Sequence, residues 1–202
     1  MKIKYKIGKG EKVHIYIDNQ YSFTTDLNTF YSLNLHENEE IDEEKLTYIK
    51  EKVDFSYLYN SAIKILSLRA HSEKELKDKL LRKNRASYIV DDVIDKIKEQ
   101  KYLDDQAFAV AYIKELFEQK KKSKNFILFK LKQKGISEDV IYQILSEYDF
   151  DEKDRIKKII EEKYGIIQIN DEKNRRRIYN FLVRAGFDVG DILSALNEMG
   201  EK

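Results

Sequence analysis

Arginine is scarce in this chain, eight residues against thirty lysines, so its placement carries information that lysine placement does not. Six of the eight are Arg82, Arg85, Arg175, Arg176, Arg177 and Arg184, gathered in two short windows. A guanidinium makes forked, directed bonds to carboxylate or phosphate, which an ammonium cannot. Lysines crowd a third window. Residues 120–134 hold Lys120, Lys121, Lys122, Lys124, Lys130, Lys132 and Lys134, with no acid among them. Such a set can grip a polyanion, either DNA phosphates or the carboxylates of an acidic protein groove. In a chain so rich in lysine, a solvated helix face accounts for the lysine run equally well.

Nothing comparable points to catalysis. His14, His36 and His71 lie in separate segments, with no His-Glu-x-x-His pattern. His71 directly precedes Ser72, and a place on a loop surface is expected for it. Asp91-Asp92 and Asp104-Asp105 fall where helices should begin, and the helix dipole favours acids there. Gly8-Lys9-Gly10 is too short for a phosphate loop and lacks the Ser or Thr that follows such a lysine. There is no cysteine, which excludes disulfides and thiolate chemistry. A protein that is not an enzyme is therefore expected, with no catalytic residue, no cofactor and no metal ligand.

Net charge is only +1, so no global field drives association with nucleic acid. The charge is segregated instead. Residues 37–54 carry eight acids against three lysines, whereas residues 172–184 carry Lys173 and four arginines against Glu172. No apolar signal segment opens the sequence and no 18-residue apolar run occurs, so a cytoplasmic protein without membrane contact is expected.

The elements that must display these cations follow a repeat. Leu76/Leu80, Ile127/Leu131 and Ile178/Leu182 are i,i+4 apolar pairs spaced 51 residues apart. Each pair stands four residues ahead of Asn84, Gly135 or Gly186, residue types that tolerate the left-handed conformation closing a helix. Val90/Ile94, Ile141/Leu145 and Ile192/Leu196 follow at the same spacing. The pattern is helix, left-handed break, helix, three times over. A leading helix precedes each pair, marked by Ala62 and Leu66, by Ala109 and Ile113, and by Ile156, Ile159 and Ile160. The second repeat holds about four extra residues around Lys120-Lys121-Lys122, and the third an insertion near Tyr164-Gly165-Ile166. Ser72-Glu73-Lys74-Glu75 reads as a capping box, and Asp104 or Asp105, Ser123, Ser137, Asp171 and Asp188 as further helix starts. The six arginines lie on or beside second helices, and Arg82 and Arg184 are repeat-equivalent.

The first fifty residues differ. Val13, Ile15 and Ile17 alternate with His14, Tyr16 and Asp18, then Asp18-Asn19-Gln20 offers a turn before Tyr21 to Thr24, which predicts a hairpin. Lys2 to Ile7 supplies a possible third strand. Short helices are expected over Asp26 to Leu35 and Asp42 to Val53. The fold class is mainly α: a tandem array of three three-helix repeats with a small N-terminal β-hairpin and helix extension. The expected domains are 1–54 for that extension, then repeats at 55–103, 104–149 and 150–202.

Several of these stretches resemble the bacterial RecX family. Ser72-Glu73-Lys74-Glu75-Leu76 with Lys79-Leu80 is similar to its Ser-x-x-Glu-Leu capping box. Tyr102-Leu103-Asp104-Asp105-Gln106-Ala107-Phe108-Ala109 with Tyr112 resembles the family's most characteristic stretch. Leu131-Lys132-Gln133-Lys134-Gly135-Ile136 and Phe181-Leu182-Val183-Arg184-Ala185-Gly186-Phe187 resemble its later segments, and the likeness runs over about residues 56–199. Asn84 departs from it, standing where a glycine is common. The resemblance implies a negative modulator of the RecA recombinase, bound in the groove of the RecA–single-stranded-DNA filament. It would limit filament extension, ATP hydrolysis and strand exchange in DNA repair, recombination and the SOS response. The expected partners are the RecA filament and single- or double-stranded DNA, with the chain itself a monomer. The alternative is a direct DNA-binding protein with helix-turn-helix-like units. Against it, the third helices, Val90 to Ile97, Ile141 to Tyr148 and Ile192 to Met199, hold more acid than base. The candidate contact residues are Arg82, Arg85, Lys121, Lys122, Lys124, Lys130, Lys132, Lys134, Arg175, Arg176, Arg177 and Arg184.

Overall fold

Period-two alternation at the N-terminus produces a sheet of three antiparallel strands, β1 (Ile3–Ile7), β2 (Lys12–Ile17) and β3 (Gln20–Asp26), in the order β1-β2-β3. The tight link between β2 and β3 holds Asp18 and Asn19 at φ of 48° and 67°, the left-handed pair that a two-residue hairpin turn requires. Ile3, Val13 and Ile15 are fully buried on one face of the sheet. This is a computed structural model, and it describes residues 1–83, 86–148, 150–165, 169 and 171–200.

Ten α-helices follow among the described residues: α1 (Leu27–Ser32), α2 (Glu43–Leu66), α3 (Glu73–Leu81), α4 (Val90–Glu99), α5 (Asp105–Lys114), α6 (Lys124–Gln133), α7 (Glu138–Leu145), α8 (Glu152–Tyr164), α9 (Glu172–Ala185) and α10 (Val189–Gly200). None is long and apolar enough to cross a membrane. The chain divides into two compact units, Met1–Leu103 and Asp104–Lys202.

In the first unit the sheet packs with Phe30, Leu35, Ile41, Ile49 and Val53. A separate core holds Leu58, Ala62, Leu76, Leu80, Val90, Val93, Ile94 and Ile97. One helix serves both. The expected short helix ending at Val53 is instead the first half of α2, a continuous 24-residue helix with Asp42 as its N-cap. No glycine, proline or left-handed residue interrupts positions 53–57, so nothing stops the hydrogen-bond ladder there. Ile49 and Val53 face the sheet, while Leu58 and Ala62 belong to the first three-helix bundle. α1 is shorter than expected and ends at Ser32.

The second unit contains two bundles. α5, α6 and α7 bury Phe108, Ala109, Ile113, Ile127, Leu131, Ile141 and Leu145. α8, α9 and α10 bury Ile156, Ile159, Ile160, Ile178, Leu182, Ala185, Ile192 and Leu196. The three repeated second-helix pairs are thus fully buried at equivalent places in three cores. Gly135 and Gly186 take φ of 80° and 90° at the breaks. Asn84, Arg85 and Ile166 lie outside the described residues. Near the first break Ala86 holds a positive φ, 48°. Just ahead of the extra residues expected around Lys120-Lys121-Lys122, a π-turn, Glu115–Gln119, extends α5 toward Lys120.

Caps fall largely where the sequence places them. Ser72, Asp104, Ser123 and Asp171 accept the backbone N–H three residues on, and Asp151 does the same for α8. Ser137 occupies the cap position of α7 without a side-chain cap bond. His71 is not a surface residue: it is buried at 3% exposure in the turn between α2 and α3, and its ring nitrogens find partners in that turn and on α3. Its Nδ1 lies 2.9 Å from the Arg69 carbonyl, and Nε2 lies 2.8 Å from the Lys79 ammonium. The neutral tautomer satisfies both, with Nδ1–H donating and Nε2 accepting.

Leu131→Ala should cost about 2–5 kcal/mol in chemical denaturation, because the cavity would open in a closed core. Burial first, then the charges of Arg69 and Lys79, push the His71 pKa down, against the raising effect of the Arg69 carbonyl bond and of Glu75. A histidine depressed in the folded state adds stability above its unfolded value of about 6.5 and loses it as pH falls toward the folded value. The thermal midpoint should therefore drop on acidification below about pH 6.5. His71→Gln should flatten that drop.

Candidate anion-binding face

α9 carries five cations against one acid, the largest excess of any described helix, and its core side decides where each charge points. Ile178, Leu182 and Ala185 are buried. Residues three or four apart share a helix face. Arg175, three before Ile178, is therefore drawn to the core edge, whereas Lys173, Arg176, Arg177, Asn180 and Arg184 fall on the far side.

Side-chain positions agree with that division. Arg175 turns against α10, donating to the Leu196 carbonyl at 3.2 Å and to the Asn197 side-chain oxygen. Lys173, Asn174, Arg176, Arg177, Asn180, Val183 and Arg184 line a shallow depression of about 530 Å³. Four of the seven are cations and none is an acid. Arg177 also sits 5.9 Å from the Tyr164 ring centre. Lys173 and Arg184 stand eleven positions apart, about 16 Å of helix. The arrangement can hold a chain of anionic groups spread along a line.

The C-terminal end of α9 is tied to the start of α6. Helix ends leave carbonyls without partners, and three here are met by two residues. Lys122 Nζ donates to the Arg184 carbonyl at 3.0 Å. The Ser123 N–H donates to the Ala185 carbonyl at 3.0 Å. The Ser123 hydroxyl donates to the Gly186 carbonyl at 2.5 Å. The approach requires glycine: a Cβ on Gly186 would stand 2.7 Å from Phe126 Cβ and 2.9 Å from Ser123 Oγ. Burial, then the charges of Lys120 and Arg184, lower the Lys122 pKa.

The remaining candidates are placed less uniformly. Lys121 pairs with Glu162 at 3.0 Å and Lys132 with Glu138 at 2.6 Å. Lys120, outside the candidate set, pairs with Glu115 at 2.6 Å. Lys124 is exposed, 5.3 Å from the Phe150 ring centre. Lys130 lies near the Phe126 and Phe129 rings and donates to Gln133, and Lys134 lies near Tyr112. Arg82, at the C-cap of α3 in the first unit, is exposed. The structure thus gathers Arg176, Arg177 and Arg184 with Lys173, sets Lys122 beside Arg184, and gives Lys120, Lys121 and Lys132 internal acids. Sequence reasoning missed Glu152 and Arg155. Arg155 donates to the Lys122 carbonyl at 3.0 Å, and Glu152 accepts the Lys124 N–H at 2.8 Å. The signal available was that Arg155 stands apart from the other arginines in an acidic stretch.

Comparison with known proteins places this architecture. Residues 59–96 match the model of the RecX first three-helix domain and residues 104–145 that of the second. Regulatory protein RecX of Clostridium tetani is 32% identical over 203 residues, covering 98% of this chain and 93% of that one. Regulatory protein RecX of Bacillus licheniformis is 29% identical, covering 98% of this chain and 76% of that one. A crystal structure of regulatory protein RecX superposes with a TM-score of 0.65 at 23% identity, over 99% of this chain and 98% of that one.

Gly186→Ala tests the tie between α9 and α6. The residue would face both a left-handed backbone and a filled space, so a loss of about 2–4 kcal/mol in denaturant unfolding is expected. Gly165, at φ 68° and ψ 168° where essentially only glycine fits but with open space around it, should lose about 1–3 kcal/mol on the same change, from backbone strain alone.

Proposed function

The chain belongs to the RecX family, and from that premise we propose that it is a negative modulator of the RecA recombinase. It binds the RecA–single-stranded-DNA filament in its groove and limits filament extension, ATP hydrolysis and strand exchange. It acts as a monomer in the cytoplasm. The observation that carries the molecular part of this reading is the acid-free cationic depression on α9. Charged contacts of this kind set encounter rate, register and salt dependence more than raw affinity.

The effect needs no catalytic group. A ligand that prefers one geometry of a filament shifts the population toward it, by as much as its differential affinity allows. Suppressed ATP hydrolysis follows from the geometry selected. Within the proposal Lys173, Arg176, Arg177 and Arg184 make the principal contact, with Lys122 beside Arg184 and Lys124 next along the chain. Arg175 has a structural part instead, holding the last turn of α10.

The test is RecA ATP hydrolysis on single-stranded DNA with sub-stoichiometric amounts of the chain. Reversing Lys173, Arg176 and Arg177 to glutamate should weaken inhibition about tenfold or more at low salt and flatten its salt dependence. Unchanged inhibition would remove this face from the contact. Arg175→Met should instead lower the unfolding midpoint while a folded sample still inhibits. Gel shifts with duplex and single-stranded DNA, with and without RecA, separate filament binding from binding to DNA alone.

A further inference from the structure

Glu152 and Arg155 are charges set where two bundles meet, and burial opposes both. Arg155 lies with its guanidinium 3.9 Å from the Phe117 ring centre and 5.6 Å from those of Phe150 and Phe187. It donates to the carbonyls of Lys122 at 3.0 Å and Phe117 at 3.5 Å. Glu152 pairs with it at 3.5 Å and accepts the first N–H of α6. The Arg155 side chain is 11% exposed and that of Glu152 24%. Desolvation outweighs pairing on each side: it raises the Glu152 pKa and lowers that of Arg155. A pair this dry adds little to stability over apolar side chains of the same volume. Its geometry does something those could not: it fixes the backbone from Phe117 to Lys124, the stretch that also binds the carbonyl end of α9.

We propose that Glu152 and Arg155 are positioning residues for the cationic face, holding Lys122 and Lys124 in register with Arg184 so that cations from two successive bundles meet one anionic partner. The inference rests on the reading of that face as the contact surface. Without the pair, Lys122 would lose its fixed place beside the end of α9, and the two sets of charges would act independently.

The experiment measures affinity of the full chain for a fluorescein-labelled single-stranded oligonucleotide, bare and coated with RecA, by anisotropy across a salt series. The apolar double variant Glu152→Met with Arg155→Met should keep its thermal midpoint near wild type. It should bind RecA-coated oligonucleotide about fivefold more weakly, with a salt slope smaller by about one. A merely structural pair would move the midpoint and leave affinity and slope alone. Should the double variant not fold, Arg155→Lys decides, since lysine keeps the charge but cannot reach both carbonyls. Weaker binding and a smaller slope support the proposal, and wild-type values overturn it. The Lys173, Arg176 and Arg177 reversal runs alongside. If it binds as wild type, the reading of the face fails and this inference fails with it. If it binds weakly while the Met variants match wild type, the positioning inference alone fails.

Discussion

Burial of Ile178, Leu182 and Ala185 fixes the rotation of α9 about its own axis, and with it the direction of every charge the helix carries. A helix that hides one stripe has no freedom left to choose what the opposite stripe shows. The three consecutive arginines are divided by that constraint. Arg175 shares the core edge and becomes a clasp on α10, while Arg176 and Arg177 are turned outward to join Lys173 and Arg184. A change that let α9 roll by one residue would scatter the cationic line while leaving the net charge untouched.

The second constraint is the left-handed break after α9. Gly186 lets the chain turn at once, and its missing Cβ lets Ser123 and Phe126 come close. Ser123 then works twice, as N-cap of α6 and as donor to the end of α9. The dipoles agree with this placement: Lys122 sits at the carbonyl end of one helix, and the Glu152 carboxylate meets the N–H end of another. Gly135 makes the equivalent turn in the preceding repeat, with φ of 80°. Polar groups, rather than apolar area alone, set how the second and third bundles register within their unit.

Much of this was legible in the sequence because it is periodic. The pairs Leu76/Leu80, Ile127/Leu131 and Ile178/Leu182 report their burial through spacing alone, and all six are fully buried. The hairpin was readable from alternation around Asp18-Asn19, as were caps such as Ser72 and Asp171. What escaped depends on contacts distant in sequence. The apolar pattern does not carry α2 past Val53, since its stripe changes partners from sheet to bundle midway; only the lack of a stop residue hints at it. Lys121 looks like a free loop charge until Glu162, on another helix, is placed beside it. His71 looks exposed beside a cap, yet Arg69 and Lys79 enclose it. Arg155 carries no periodic mark, because its partners are backbone carbonyls supplied by the π-turn and loop.

The central claim, that the outward stripe of α9 is the surface that meets the partner, is open to direct footprinting. Arginine side chains can be modified with phenylglyoxal on the chain alone and on the chain bound to RecA-coated single-stranded DNA, with the products located by mass spectrometry. The account predicts that Arg176, Arg177 and Arg184 react readily when free and are protected when bound, while Arg175 reacts poorly in both states. Equal reactivity of Arg176, Arg177 and Arg184 in the free and bound chain would contradict it.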